Sequence, residues 1–423
     1  MTGPITNWAG NVDFGASALH RPGSLSELRS LVAGSDRVRA LGTAHSFNRI
    51  ADTTGDLVSL AALPPTVEID TGRATVSVAA GIRYGELVER LHRAGFALHN
   101  LGSLPHISVA GACATATHGS GVGNGNLATA VSGLELVTAD GDLVTLDRDA
   151  DGDEFLGHVV GLGALGVVTR LTLDLAPAFD IEQYVYDDLP REQLDEHHAE
   201  ILGGDYSVSL FTDWAGPHVN QVWRKRRVVG AGDLGAPERW FGATLATEAR
   251  HPVPGMSAVH CTQQLGVPGP WHARLPHFRL EFTPSSGEEL QTEYFVPRQD
   301  LVGALTALDG IRDRIAAVLQ ISEIRTIAAD ELWLSPAYRR DSVALHFTWV
   351  KDTGAVLPVL AAIEDRLAPF AHRPHWGKLF VTPPEVVRDR YDRHGDFVAL
   401  MTRYDPAGKF RNDMLDRYFP AAG

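Results

Sequence analysis

Hydrophobic and polar positions give the chain two textures that meet near Pro177. In the first, apolar runs are short and glycine stands at many joints. In "SLSELRSLVA" (24–33), Leu28, Leu31 and Val32 share one helical face and Ser24 with Glu27 makes a capping box, which predicts a helix. "RVRAL" (37–41) and "GDLVSLAAL" (55–63) read as buried strands. "TVEIDTGRATVSVAAG" (66–81) alternates, breaks at Thr71-Gly72 and alternates again, which predicts a hairpin. "YGELVERLHRAG" (84–95) has the period of an amphipathic helix closed by Gly95. "VSGLELVTADGDLVTLD" (131–147) predicts a second hairpin turning at Asp140-Gly141. Residues 153–175 predict a short helix, a glycine turn and a strand.

Beyond Pro177 aromatic residues become common and the alternating runs lengthen: "YSVSLFTDW" (206–214), "VNQVW" (219–223) and "LQTEYFV" (290–296). The basic run Arg224-Lys225-Arg226-Arg227 reads as a solvated strand edge blunted by charge. Residues 251–277, rich in Pro, Gly and His, predict a long irregular loop of the kind that carries function. A helix over 299–316, strands over 320–327 and 341–350, and a helix over 355–368 follow.

The 423 residues leave room for two or three domains, and 44% hydrophobic with 21% charged residues is ordinary for a globular chain. A formal charge of −15 argues against nucleic-acid and anionic-membrane partners. Cys113 and Cys261 have no zinc spacing, so no metal site is expected. The N-terminal stretch has no basic n-region or apolar h-region, and no window approaches the ~18 apolar residues of a membrane span. These features predict a soluble, cytoplasmic chain.

"LGTAHSFN" (41–48) places His45 among small residues directly after a predicted strand. Loops of this kind converge backbone N–H groups on an anionic group. His45 there has the chemistry of a base, a metal ligand, a structural donor or a covalent attachment point. "LGSLPHISVAGACATATHGSGVGNGN" (101–126) is dense in small residues and almost free of charge, so it reads as a cradle that backbone builds around a cofactor. No GxxxxGK[ST] occurs, and no GxGxxG opens a helix after a strand, which argues against Walker and Rossmann sites. In "QISEIRTI", Glu323 and Arg325 face one side of a strand. In "ALHFTWV", His346 and Thr348 do the same, with Leu345, Phe347 and Trp349 opposite. An acid, a cation, a base and a hydroxyl on neighbouring strands predict a polar ligand site, and Lys378 in "HWGK" falls within reach of it.

"GTAHSFN", "SLPHISVAG", "TATHGSG", "EIR", "HFTW" and "HWGK" occur in one order over more than 330 residues. In that order they resemble the alditol oxidases, flavoproteins of the vanillyl-alcohol oxidase superfamily related to the sugar-lactone oxidases. The resemblance implies an α+β fold of two domains. An FAD-binding domain of vanillyl-alcohol oxidase type would span 1–178. An α/β cap with a mainly antiparallel sheet would span 179–370 and bind substrate. Residues 371–423 would return to the FAD domain and complete the active site.

The resemblance also implies contacts to FAD from Leu41, Gly42, Thr43, Ala44, His45, Ser46, Phe47 and Asn48. Further contacts would come from Ser103, Ser108, Gly111, Thr115, Ala116, Thr117, His118 and Val167. His45 would carry FAD covalently, an imidazole nitrogen bonded to the 8α-methyl of the flavin. Neutral imidazole suits that role, and attachment makes the flavin a stronger oxidant. Ala44 stands where the superfamily commonly has glycine, so a positive φ is not expected there. Ser103 stands nearest to the second anchor of bicovalent relatives, so a single link is expected. His118 is expected to cap a turn and to have no catalytic role.

The implied reaction oxidises the terminal primary alcohol of a linear polyol, such as xylitol or sorbitol, to the aldehyde, and O2 becomes H2O2. Ser103, Glu323, Arg325 and Thr348 would grip hydroxyls. His346 and Lys378 would share the roles of proton acceptor and alkoxide stabiliser at C1. Gly102 would leave the approach of O2 to the flavin uncovered; service in a turn with positive φ is its other reading. The partners expected are polyol and O2 alone, with the protein a monomer. Alternative readings are a sugar-lactone oxidase or dehydrogenase, and a non-catalytic flavin- or polyol-binding protein.

Overall fold

The computed structural model describes residues 5–230, 235–281 and 288–421. Residues 1–4 and 422–423, which the expected domain bounds include, lie outside the described residues. The helix Leu25–Gly34 begins as its capping pattern requires: Ser24 Oγ accepts the Glu27 N–H at 3.2 Å, and the Glu27 carboxylate takes the Gly23 N–H at 2.8 Å. Its buried face is Leu28 and Val32. The strand expected over 55–63 is shorter than its apolar length, because Asp56–Val58 gives way to a 3-10 turn over Leu60–Ala62. The turn is pressed against Gly81, where a Cβ would lie 2.6 Å from the Leu60 carbonyl oxygen.

Asp56–Val58 is the middle strand of a small parallel sheet, between Ala18–His20 and Val38–Ala40. The two expected hairpins form, and the strand Val167–Asp174 joins them into a five-stranded antiparallel sheet. Arg39, buried, ties these parts together. Its guanidinium donates to the carbonyls of Gly163 (2.7 Å), Phe410 (2.8 Å), Leu162 (2.8 Å) and Ile50. Burial pulls its pKa down to about 10, so it stays cationic at neutral pH. One side chain thereby joins the start of the His45 loop, the glycine turn and the C-terminal segment. The C-terminal helices Pro384–Arg390, His394–Tyr404 and Asp413–Tyr418 bury Val387, Phe397, Leu400 and Leu415 in this same core.

The second domain is built on a ten-stranded sheet, antiparallel at every pairing. Along its centre run Asp180–Pro190, His218–Arg227, Ser207–Thr212, Leu319–Ile327, Ser342–Val350 and Glu289–Pro297. One face, with Leu345, Phe347 and Trp349, packs against the helices Gln193–Gly203, Leu301–Asp309 and Thr353–Leu367. The helix expected over 299–316 is broken near Gly310 into Leu301–Asp309 and Arg312–Ala316.

The basic run corrects its expected placement. His218–Arg227 is an interior strand, and Arg224 and Lys225 are paired on both sides, so the run does not form a sheet edge; only Arg226 and Arg227 extend beyond the neighbouring strand Ser207–Thr212. Each charge is met locally instead. Arg224 Nε lies 2.5 Å from Asp205, Arg226 pairs with Glu182, and Arg227 lies 4.2 Å from the centre of the Phe179 ring. Lys225 is buried. Local sequence shows charge but does not show which strands will dock on either side.

Candidate active site

A cavity of about 820 Å³ is lined by both domains. One wall is the loop after Val38–Ala40: Leu41, Gly42, Thr43, Ala44, His45, Ser46 and Phe47. Ala44 has φ +57°, the left-handed conformation not expected of it. The strain is held by flanking backbone bonds: Trp8 N–H to the Ala44 carbonyl and Phe47 N–H to the Gly377 carbonyl, each 2.8 Å. The His45 ring stacks on Trp8 with 5.0 Å between centroids, and its Nδ1 lies 3.0 Å from the Thr43 carbonyl oxygen. Burial drives its pKa down to about 4, so the imidazole is neutral at pH 7.

Gly42 and Gly111 close the cradle: a Cβ on either would stand 2.6 Å or 2.7 Å, respectively, from Ser108 Oγ. Ser108, Thr115, Thr117 and His118 line the cavity. The glycine turn contributes Gly161, Gly163 and Gly166; the sequence marked it only as a joint. Asn48, Ala116 and Val167 do not line the cavity. Asn48 Nδ2 donates to the carbonyls of Trp376 and Lys378, each at 2.7 Å, and so fixes the segment that carries Lys378. Ala116 and Val167 are buried in the core of the first domain.

Gly102 lines the cavity and does not have a positive φ, which overturns the turn reading. A Cβ there would meet its nearest neighbour, Thr117 Cγ2, at an ordinary 3.6 Å. Cys113 also reaches the wall. Burial pushes its thiol up to about 12, which leaves almost no thiolate. Among the described residues no group of three metal-ligating side chains occurs.

The other wall is the polar face of the large sheet. Glu323 stands opposite His346, and His346 opposite Glu293, so three strands bring these side by side. Arg325, Thr348, Lys378 and Ser103 line the same end. Glu293 is 1% exposed and is met by side chains from three segments. Arg325 Nη2 donates to its Oε1 at 2.7 Å, His118 Nε2 lies 3.1 Å from that oxygen, and Lys378 Nζ donates to Oε2 at 2.8 Å. Burial opposes its charge, but Lys378, His118 and Arg325 outweigh burial and hold it well below the usual glutamate range. His118 thus does more than its expected turn contact, Nδ1 to the Gly119 carbonyl at 2.8 Å.

Lys378 is lowered by burial, and Glu293 opposes that fall. Burial, then the Lys378 charge, push His346 far below its usual value, so it is neutral. Its tautomer follows from its neighbours. Gln291 Nε2 donates to Glu289 at 2.6 Å, which turns Gln291 Oε1 toward His346 Nε2 at 3.2 Å. An amide oxygen only accepts, so Nε2 carries the proton and Nδ1 the lone pair. Neither His346 Nδ1 nor Arg325 Nε has a hydrogen-bond partner among the described residues. Gln291 and Glu293 were missed in "LQTEYFV", although they show the same two-residue spacing as Glu323 and Arg325.

The family described as FAD binding domain matches residues 16–147, and that described as D-arabinono-1,4-lactone oxidase matches residues 287–418. An alditol oxidase of Streptomyces sp. is 54% identical over 98% of this chain and 99% of its own. An L-gulono-1,4-lactone dehydrogenase of Mycobacterium tuberculosis is 28% identical over 97% of this chain and 98% of its own. A solved structure of cholesterol oxidase from B. sterolicum superposes with a TM-score of 0.78 at 14% identity, over 99% of this chain and 96% of that one. Together with the fold, these define an FAD-dependent oxidoreductase of vanillyl-alcohol oxidase type. Within that class, the chain belongs to the alditol oxidase family. The glycine-lined wall and the neutral His45 fit the cofactor that this class carries.

Glu293→Gln would leave Arg325 and Lys378 buried without their carboxylate. It is expected to lower stability by roughly 3–5 kcal/mol at pH 7. Because folding depresses the pKa of Glu293, this difference is fully present above about pH 4.5 and shrinks as the pH falls below that value, where the unfolded chain binds the proton first. Urea midpoints of both proteins at pH 7 and between about pH 3 and 5 check this. Equal midpoints at pH 7 would contradict it.

Proposed function

We propose that this chain oxidises the terminal primary alcohol of linear polyols, such as xylitol and sorbitol, to the aldehyde, with O2 converted to H2O2. The observation that carries the reading is the buried polar face of Glu323, Arg325, His346, Thr348 and Lys378 beside a glycine-lined cradle in one cavity. A neutral polyol offers many hydroxyls and no net charge. The face suits it, because Glu293 and Glu323 already balance Arg325 and Lys378. The 54% identical relative named alditol oxidase supports the same substrate class.

Bound FAD supplies the hydride acceptor and returns the electrons to O2. Residues 41–47, Ser108, Gly111 and Thr115 hold it, and His45 bonds it covalently as the single link. Ser103, Glu323, Arg325 and Thr348 take successive hydroxyls. His346 accepts the hydroxyl proton of C1 at Nδ1, its unpartnered nitrogen. Lys378, held as ammonium by Glu293, stabilises the developing alkoxide. Gly102 leaves the path of O2 open. The protein works as a cytoplasmic monomer without membrane or nucleic-acid partner; among the described residues no helix is long and apolar enough to cross a membrane.

Under air, xylitol and sorbitol should consume O2 and release H2O2 in equal amounts, while sugar-1,4-lactones give far slower uptake. Uptake with lactones and none with polyols would overturn the reading. Separately, acid precipitation should leave the yellow colour in the wild-type pellet, and His45→Ala should release it to the supernatant. Release from wild type would contradict the covalent link, whatever the activity.

A further inference from the structure

Lys225 is 1% exposed in the interior of a β-sheet. An ammonium in that position costs much free energy unless its protons find acceptors. Three consecutive residues of the irregular loop supply them. Lys225 Nζ donates to the carbonyl of Leu275, to that of Pro276 at 3.1 Å, and reaches His277 Nδ1 at 3.2 Å. An ammonium has no lone pair, so His277 Nδ1 accepts and the ring proton sits on Nε2. Nε2 is 2.7 Å from Glu323 Oε1 and donates to it. Phe211 and Trp223 wall the ring edge to face, with centroids 5.4 Å and 5.2 Å away.

The Glu323 carboxylate, which only accepts, requires the same ring proton on Nε2. Burial, then the Lys225 charge, lower His277 to about 4, so the ring is neutral. Burial lowers Lys225 to about 7; Glu323 and the Cys261 thiol favour its charge and Arg325 opposes it. Glu323 Oε2, the oxygen not held by His277, lies 3.5 Å from Arg325 Nε, a distance that binds it only loosely.

We propose that Lys225 and His277 are positioning residues for substrate: Lys225 fixes the His277 tautomer, His277 pins Glu323 Oε1, and Oε2 is thereby presented to a polyol hydroxyl. The inference rests on the substrate role given to Glu323 above. It gives the buried lysine and the histidine-bearing loop a task in affinity. It gives them none in the chemical step, because Lys225 does not line the cavity and His277 Nε2 is held by Glu323.

The test uses the flavin-loaded full chain and xylitol. Lys225→Met and His277→Phe should each raise KM about tenfold, the loss of one hydrogen bond to a buried charge, with kcat changed less than about twofold. His277→Gln should recover most of the affinity lost in His277→Phe, because its amide accepts from Lys225 and donates to Glu323. Should Lys225→Met fail to fold, the His277 pair alone decides. Glu323→Gln should raise KM by itself, and adding Lys225→Met should raise it no further. A raised KM in Glu323→Gln with unchanged KM in Lys225→Met and His277→Phe would overturn the relay alone. Full additivity of Lys225→Met with Glu323→Gln would do the same. An unchanged KM in Glu323→Gln would overturn the substrate role of Glu323 itself, and the relay with it.

Discussion

A single buried carboxylate, Glu293, holds the centre of this molecule. It is reached by Arg325 from the strand on the far side of the His346 strand, by Lys378 from the segment after the helix Thr353–Leu367, and by His118 from the small-residue loop of the first domain. Two cations this deep would repel each other and lose their hydration; the shared carboxylate offsets both costs. The geometry of this end of the cavity therefore depends on it. Without Glu293, Lys378 would lose its hydrogen-bonded carboxylate and keep only the more weakly acting Glu323 to favour its charge.

Around that centre, two hydrogen-bond chains each settle one imidazole. Glu289 and Gln291 orient His346 with its proton on Nε2, and Lys225 orients His277 with its proton on Nε2. Both rings are kept neutral by burial and by a nearby ammonium, Lys378 for one and Lys225 for the other. The result is a division of labour. One neutral ring has an unpartnered lone pair at His346 Nδ1, and the other has a fixed donor, His277 Nε2, toward Glu323. In the proposed reaction, binding and proton removal thus fall to different imidazoles.

Much of this face was legible from alternation, because a strand shows its two sides in the sequence. Glu323 with Arg325, and His346 with Thr348, follow from that period alone. Gln291 and Glu293 carry the same signal, but a pair of polar residues acquires meaning only from its neighbours, and register is a property of two strands. Lys225 was misplaced for the same reason: whether a strand is an edge depends on segments far away in the chain. Gly42 and Gly111 were legible only as small residues of a cradle; that both press on Ser108 follows from the tertiary fold. The positive φ of Ala44 was not, because tertiary backbone bonds hold a conformation that the residue itself disfavours.

The central claim is that a polyol hydroxyl loses its proton to this buried face while hydride leaves the same carbon for the flavin. Anaerobic single-turnover bleaching of the flavin by xylitol, unlabelled and dideuterated at both terminal carbons, measures that step directly. The account predicts complete bleaching by both, with the deuterated polyol markedly slower. A flavin that stays oxidised with either polyol, or that bleaches at one rate with both while the reduction step itself is being observed, would contradict it.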